Sequence, residues 1–120
     1  MSDQPVILDQ QVLDSLHESV GGDDAFVADL VSTYLAEGAE HIAQMEAAAA
    51  AGDPEAILRP AHSMKSSSAA LGAARMSSIS RDIEFAGREG RSEDLSASVA
   101  EARATWDATV AELNTRGLTR

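Results

Sequence analysis

Residues 54–73 read PEAILRPAHSMKSSSAALGA and carry the clearest helical pattern in the chain. Small and apolar residues recur there at three- and four-residue steps: Ile57, Ala61, Met64, Ser68 and Leu71. On an α-helix these positions fall within about 40° of one direction. We therefore expect a helix that turns this face to a core.

The ends of this helix are marked by residues that start or stop helices. Gly52-Asp53-Pro54 combines a C-terminal glycine, an N-cap aspartate and a proline suited to the first helical position. Gly72 ends the helix after Leu71. Pro60 lies inside these limits, where it removes one backbone hydrogen bond, so we expect it to bend the helix.

Helical periodicity continues on both sides of this segment, and no alternating strand pattern occurs. The other predicted helices are a short one capped by Asp9 and ending near Glu18, one from Asp23 or Asp24 to Ala51 with a candidate kink at Gly38, one from Ala74 to Arg88, and a last one capped by Ser92 that carries Leu95 to Leu113. Residues 1–8 are expected to form an irregular arm. Because the connections are short, successive helices should be antiparallel neighbours.

The predicted fold class is therefore all-α: an up-and-down antiparallel four-helix bundle with an additional short N-terminal helix. A chain of 120 residues suits one domain, and we expect residues 1–120 to form it. No segment approaches the ~18 apolar residues of a membrane helix, and no export signal is recognisable at the start. Cysteine is absent, which excludes disulfides and thiolate metal sites. We expect a cytoplasmic protein.

Charge is distributed unevenly along the chain. Residues 1–58 carry a net charge of −12 and contain no Lys or Arg, whereas residues 59–120 carry +1. Most of these carboxylates serve solubility. A total of −11 nevertheless disfavours nucleic acid and anionic membranes as partners, because both repel an acidic surface.

His62 points away from the core-facing direction of its helix, by about 140°. Lys65, Leu58 and Ala69 lie about 80°, 100° and 120° from that direction, and Ser66 lies opposite it. The sequence thus predicts an exposed imidazole with a lysine one turn away. An exposed histidine taken alone is most often a surface side chain without a role.

The neighbours of His62 favour a chemical role. A neutral imidazole is nucleophilic near pH 7 because its ordinary pKa is about 6.5. Lys65 is the only lysine in the chain, and its ammonium could meet an anionic group on the ring. Ser66 and Ala69 are small enough to let another protein approach. These features suit a phosphoryl carrier.

The segment from Ala61 to Ala73 resembles the signature of histidine phosphotransfer (HPt) domains. The shared features are an alanine and histidine, a lysine three residues later, small residues after it, and the closing Leu71-Gly72-Ala73. Ile83-Glu84 and the acidic helix before the signature also fit, so the resemblance covers most of the chain. Family members often have glycine where this chain has Ser66.

The resemblance implies a carrier, not an enzyme, in a two-component phosphorelay. His62 would accept a phosphoryl group from the aspartate of one receiver domain and pass it to another, with Lys65 stabilising the phosphate. Receiver domains of response regulators or hybrid histidine kinases would be the partners. They would bring Mg²⁺, so this chain needs no cofactor or metal. We expect docking to involve Leu58, Ser66, Ala69 and Leu13. We expect a monomer, although the residues leave dimerisation open.

Other features have less specific interpretations. His17 and His41 lack metal-ligand spacing, so zinc is disfavoured. Arg59, Arg75 and Arg81 are interpreted as ion-pair partners more readily than phosphate ligands, and Glu84 as structural. Two alternative functions remain open: a bundle that docks receiver or kinase domains without accepting phosphate, and a phosphodonor domain cut from a larger chemotaxis-type kinase.

Overall fold

A computed structural model describes residues 4–119 of the protein. Within this range the chain forms α-helices and no strands: α1 Gln10–Ser19, α2 Asp24–Ala50, α3 Leu58–Leu71, α4 Ala74–Arg88 and α5 Leu95–Thr115. The predicted all-α class is confirmed. Residues 1–3 of the expected N-terminal arm lie outside the described residues.

The four long helices close into a ring. Helix α2 packs against α3 and α5, and α4 packs against the same two neighbours. Helix α1 lies across α2 and α3. The predicted four-helix bundle with an additional short N-terminal helix is therefore present, and short connections keep sequential helices adjacent.

The core face predicted for α3 and its preceding turn is correct throughout. Each of its members is buried, with at most 5% of its surface exposed: Ile57, Ala61, Met64, Ser68 and Leu71. The Ser68 hydroxyl is hydrogen-bonded to the Tyr34 hydroxyl of α2, at 2.8 Å between the oxygens. Burial raises the pKa of Tyr34 to about 12, and the bond to Ser68 opposes that shift.

The predicted bend at Pro60 is wrong, because α3 begins later than the sequence indicated. The segment from Pro54 to Ile57 forms turns, with the Asp53 carboxylate accepting from the backbone N–H groups of residues 55 and 56. Helix α3 then starts at Leu58, which places Pro60 in its first turn. Backbone N–H groups have no intrahelical partner there, so proline removes no hydrogen bond.

Two of the four predicted N-caps are present. A third, the aspartate described above, lies on the turn before α3 and not on the helix itself, and the fourth is absent. The carboxylates of Asp9 and Asp23 accept from backbone N–H groups at the starts of α1 and α2. Ser92 does not cap the last helix through its side chain: α5 begins at Leu95, after Asp94, without a side-chain cap.

The N-terminal arm is fixed to the corner between α3 and α4. Gly72 has φ +85° and ends α3 in the left-handed region, which favours glycine. Its carbonyl accepts from the Asp9 N–H at 2.7 Å. Arg75 donates from its backbone N–H to the Val6 carbonyl and from Nε to the Pro5 carbonyl.

Gly38 provides space for an aromatic ring where a kink was expected. Helix α2 continues without interruption through this position. A Cβ at Gly38 would collide with Cη2 of Trp106, so the indole lies directly on the α2 backbone. The Trp106 ring also contacts Tyr34, with ring centroids 5.4 Å apart. None of the described helices has the length and apolar character to cross a membrane.

Gly38→Ala should lower the free energy of unfolding by about 1–3 kcal/mol, because the added methyl overpacks the contact with Trp106. Helix propensity alone would give the opposite sign, since alanine favours a helix over glycine by about 1 kcal/mol. Urea unfolding followed by Trp106 fluorescence measures the change. A variant more stable than wild type would contradict the packing assigned to Gly38.

Candidate functional site

His62 stands on the exposed side of α3, as the sequence predicted, with 57% of its side chain exposed. Its ring faces α4 on one edge, where Nδ1 lies 2.8 Å from Oε2 of Glu84. The two residues come together because α3 and α4 form an antiparallel hairpin around Gly72 and Ala73.

Glu84 is the centre of this cluster. Its side chain is only 6% exposed, yet it binds three nitrogen-bearing side chains. Oε1 accepts from Lys65 Nζ at 2.7 Å, and Oε2 accepts from Arg88 Nη2 at 2.9 Å in addition to its contact with His62. A buried carboxylate is stable only when such partners offset its lost hydration.

The partners keep Glu84 ionised. The hydrogen bond from Lys65 is the main cause that lowers the pKa of this carboxyl from 4.5 to about 2; the bonds from His62 and Arg88 act in the same direction. Burial opposes the shift but is outweighed. Glu84 is therefore a carboxylate at any physiological pH.

This ionisation fixes the tautomer of a neutral His62 ring. An ionised carboxylate can only accept hydrogen bonds, so Nδ1 of a neutral His62 must carry the proton and donate it to Glu84. The lone pair is then on Nε2, at the other side of the ring. A nucleophilic nitrogen on a largely exposed ring, held by a buried carboxylate, can attack an electrophile brought by another molecule.

Lys65 lies beside His62, but its ammonium is engaged. The Lys65 side chain is 31% exposed, and its Nζ donates a hydrogen bond to Glu84. The sequence predicted a lysine free to meet an anion on the ring. An ammonium carries three donors, so Lys65 can keep its bond to Glu84 and still donate to a group on Nε2.

The predicted docking residues differ in accessibility. Ser66 and Ala69 are exposed, whereas Leu58 is half-buried with its Cδ2 close to Gly87 of α4. Leu13 is buried, with 5% of its surface exposed. The prediction that Leu13 contributes to docking is therefore wrong, because this face of α1 packs into the core.

Another residue of α1 reaches the surface beside α3. Leu16 lines an apolar depression of about 300 Å³ between α1, α2 and α3. Leu30 and Tyr34 of α2 and Ala70 of α3 also line it. This depression flanks the exposed side of the His62 helix.

Several other polar side chains that the sequence singled out contact neighbours other than Glu84. Arg75 binds the N-terminal arm, and Arg81 lies 3.6 Å from the Asp82 carboxylate. His17 Nε2 lies 2.7 Å from Asp24 Oδ1, far along the chain from His62. Across residues 4–119, no group of three or more potential metal ligands converges.

Sequence reasoning classed Glu84 as structural and passed over Arg88. The signal lies in the structure: Glu84 is one of the buried residues of α4, four residues after the buried Ser80 and beside the buried Ile83. Charged residues are almost never fully buried unless they are paired. A carboxylate at a core-facing position therefore indicates a cationic or imidazole partner nearby.

Comparison with known proteins identifies the family of this chain. A family model for the Hpt domain matches residues 29–115, a range that contains His62, Lys65, Glu84 and Arg88. The chain belongs to the Hpt domain family. Hpt domains are phosphotransfer carriers of two-component signalling and interact with receiver domains, so the general function of this chain is histidine phosphotransfer.

A solved structure supports the same fold over almost the whole chain. The crystal structure of histidine-containing phosphotransfer protein B (HptB) from Pseudomonas aeruginosa PAO1 superposes with a TM-score of 0.83 and 25% sequence identity. The match covers 92% of this chain and 93% of that one. Among curated protein sequences, no significant match to this Hpt domain was found.

Glu84→Gln should lower the free energy of unfolding by about 1–3 kcal/mol at pH 7, because three charge-assisted hydrogen bonds lose their anion. The pKa of Glu84 is lower in the folded than in the unfolded state, so its contribution is complete above about pH 5 and is lost as the pH falls towards 2. The difference between variant and wild type should therefore shrink over that window.

Urea unfolding at pH 7, 5 and 3 measures this difference. Glu46→Gln is the matched control, because Glu46 pairs with Arg103 at a site 42% exposed. Exposed ion pairs contribute at most about 1 kcal/mol. Equal stability of Glu84→Gln and wild type at pH 7 would contradict the central place given to Glu84.

Proposed function

We propose that Nε2 of His62 accepts a phosphoryl group from the aspartyl phosphate of one receiver domain and passes it to the aspartate of another. The observation that carries this proposal is the 2.8 Å contact between Nδ1 of His62 and the ionised Glu84 carboxylate. That contact leaves the lone pair on Nε2, and the ring is open enough to be reached by a partner.

The proposed transfer needs no base on this chain. The Nε2 lone pair attacks phosphorus, the bond from phosphorus to the aspartyl oxygen breaks, and the aspartate leaves as a carboxylate. The ring gains positive charge while its proton stays on Nδ1, where Glu84 stabilises it. The reverse steps deliver the phosphoryl group to the next aspartate. In-line positioning and charge neutralisation are what phosphoryl transfer chiefly requires.

Lys65 is proposed to neutralise the phosphoryl oxygens during transfer. Its ammonium is held one helical turn from His62 by Glu84, so the carboxylate positions both the nucleophile and the cation. Arg88 adds a second positive charge to the cluster. Further neutralisation is assigned to Mg²⁺ held by the receiver domain, which leaves the carrier itself with positioning and with the charges of Lys65 and Arg88.

Receiver domains are proposed to dock over the exposed side of α3. Ser66 and Ala69 are exposed and have short side chains, so a partner can bring its aspartate close to the ring. The apolar depression lined by Leu16, Tyr34 and Ala70 offers area that a partner can cover. A modest interface of this kind suits a carrier that binds two partners in turn.

His62→Gln should abolish labelling by a receiver domain charged with ³²P-acetyl phosphate, because glutamine has no nucleophilic lone pair on nitrogen. In wild type the label should be acid-labile and base-stable, as expected for a phosphorus–nitrogen bond. His17→Gln, also an exposed histidine, is the matched control and should label normally. Label that persists in His62→Gln would refute the assignment, and binding without any label would favour a docking module that accepts no phosphate.

Lys65→Ala should slow transfer about tenfold or more with helix content unchanged, because one cation near the transferring group is lost. Lys65→Arg, which retains the charge, should recover much of the rate. Rapid-quench measurement with the receiver in excess reports the transfer step, and circular dichroism reports the fold. A Lys65→Ala rate equal to wild type would remove Lys65 from the site.

A further inference from the structure

The outer face of α4 carries an exposed aromatic residue between two arginines. Arg81, Phe85 and Arg88, here called the α4 strip, are all exposed, and Phe85 has 59% of its surface open. The chain contains only four aromatic residues. Single exposed apolar residues are common, so exposure alone does not assign Phe85 a role, and its position relative to His62 must be considered.

The α4 strip is continuous with the His62 cluster. A depression of about 200 Å³ is lined by all three strip residues together with Lys65 and Glu84. Arg88 belongs to both, because its Nη2 donates to the same Glu84 oxygen that contacts His62.

A partner that docks on His62 with a footprint of ordinary size can cover this strip. Specific interfaces bury about 800 Å² on each side, which corresponds to a patch of about 16 Å radius. The strip extends about 10 Å along α4, at 1.5 Å per residue, and the buried Glu84 lies between the levels of its two ends. A footprint centred on His62 therefore includes Phe85 and both arginines.

Charge specifies what kind of surface fits the strip. Residues 59–91 carry a net charge of +3 in a chain whose total is −11. A partner with acidic groups around its reactive aspartate is attracted here and repelled by most of the remaining surface. Arginine and aromatic residues are also the types that most often dominate binding energy in interfaces.

We propose that the α4 strip is a docking contact for receiver domains, in which Phe85 enters the interface and Arg81 and Arg88 pair with carboxylates at the rim of the receiver's reactive site. Arg88 has donors left after its bond to Glu84, because a guanidinium carries five. This inference rests on the proposed function, since it assigns that function a second docking element besides α3.

The test compares two phosphodonors. Phosphoramidate is a small donor that needs no docking: its phosphorus–nitrogen bond breaks, ammonia leaves and the new bond forms at Nε2. The other donor is taken from a panel of isolated receiver domains, each charged with acetyl phosphate, and the fastest donor to wild type is kept. Phe85→Ala should lower the second-order rate constant from the receiver about tenfold and leave labelling by phosphoramidate unchanged.

Phe26→Ala is the matched control. Phe26 is 49% exposed on α2. Helices α2 and α3 are antiparallel, and the contact between Tyr34 and Ser68 shows which of their residues lie side by side. Counted from that contact at 1.5 Å per residue, Phe26 lies on the order of 20 Å from His62 along the bundle. This control should transfer at the wild-type rate.

Arg81→Glu tests the electrostatic part. It should slow association with the receiver several-fold at low ionic strength, with the deficit largely removed near 0.5 M salt (about 4 Å screening length). Arg116→Glu makes the same change in net charge at the end of α5, beside Gln10 of α1, and should have little effect.

Each outcome supports or overturns one statement. If neither phosphoramidate nor any receiver labels wild type, the proposed function is wrong, and the docking role of the α4 strip is wrong as well. If wild type is labelled and Phe85→Ala accepts phosphate from the receiver at the same rate, only the docking role of the α4 strip is wrong. Equal loss with both donors would place Phe85 within the reacting site instead. A change in sedimentation of Phe85→Ala would assign the strip to a second copy of this chain, which also overturns the proposal.

Discussion

The buried carboxylate of Glu84 is the constraint on which the site depends. A carboxylate that is 6% exposed loses most of its hydration and must be compensated by hydrogen-bonded cations. Lys65 and Arg88 supply that compensation, and His62 donates the third bond. The same bonds hold the imidazole in one orientation and one tautomer. A single network therefore compensates the buried carboxylate and orients the imidazole.

The hairpin of α3 and α4 brings this network together. His62 and Glu84 lie equally far before and after Ala73, so antiparallel packing places them opposite each other. Gly72 permits the sharp reversal with its positive φ. At the other end, Gly87 allows close approach, because a Cβ there would lie 2.8 Å from the Pro54 carbonyl. Small residues at both ends thus set the distance between histidine and carboxylate.

Charge is distributed unevenly between the part of the chain that contains His62 and the part that precedes it. Acidic residues dominate the first half of the chain, and the cations begin at Arg59, just before His62. The phosphoryl group, the aspartate that carries it and the carboxylates around that aspartate are all anionic. Under the proposed function, a local excess of positive charge on an acidic protein directs such a partner to one face.

Local sequence determined the helices, the core face of α3 and the exposure of His62, because helical periodicity is a property of neighbouring residues. Packing decided the rest. Helix α3 starts at Leu58, so Pro60 lies in its first turn and removes no hydrogen bond. Leu13 is buried in the core, and Gly38 leaves space for the Trp106 ring. The pairing of His62 with Glu84 joins residues on different helices. The periodicity of a single helix does not reveal this contact, so only the tertiary structure could identify the carboxylate that contacts the histidine.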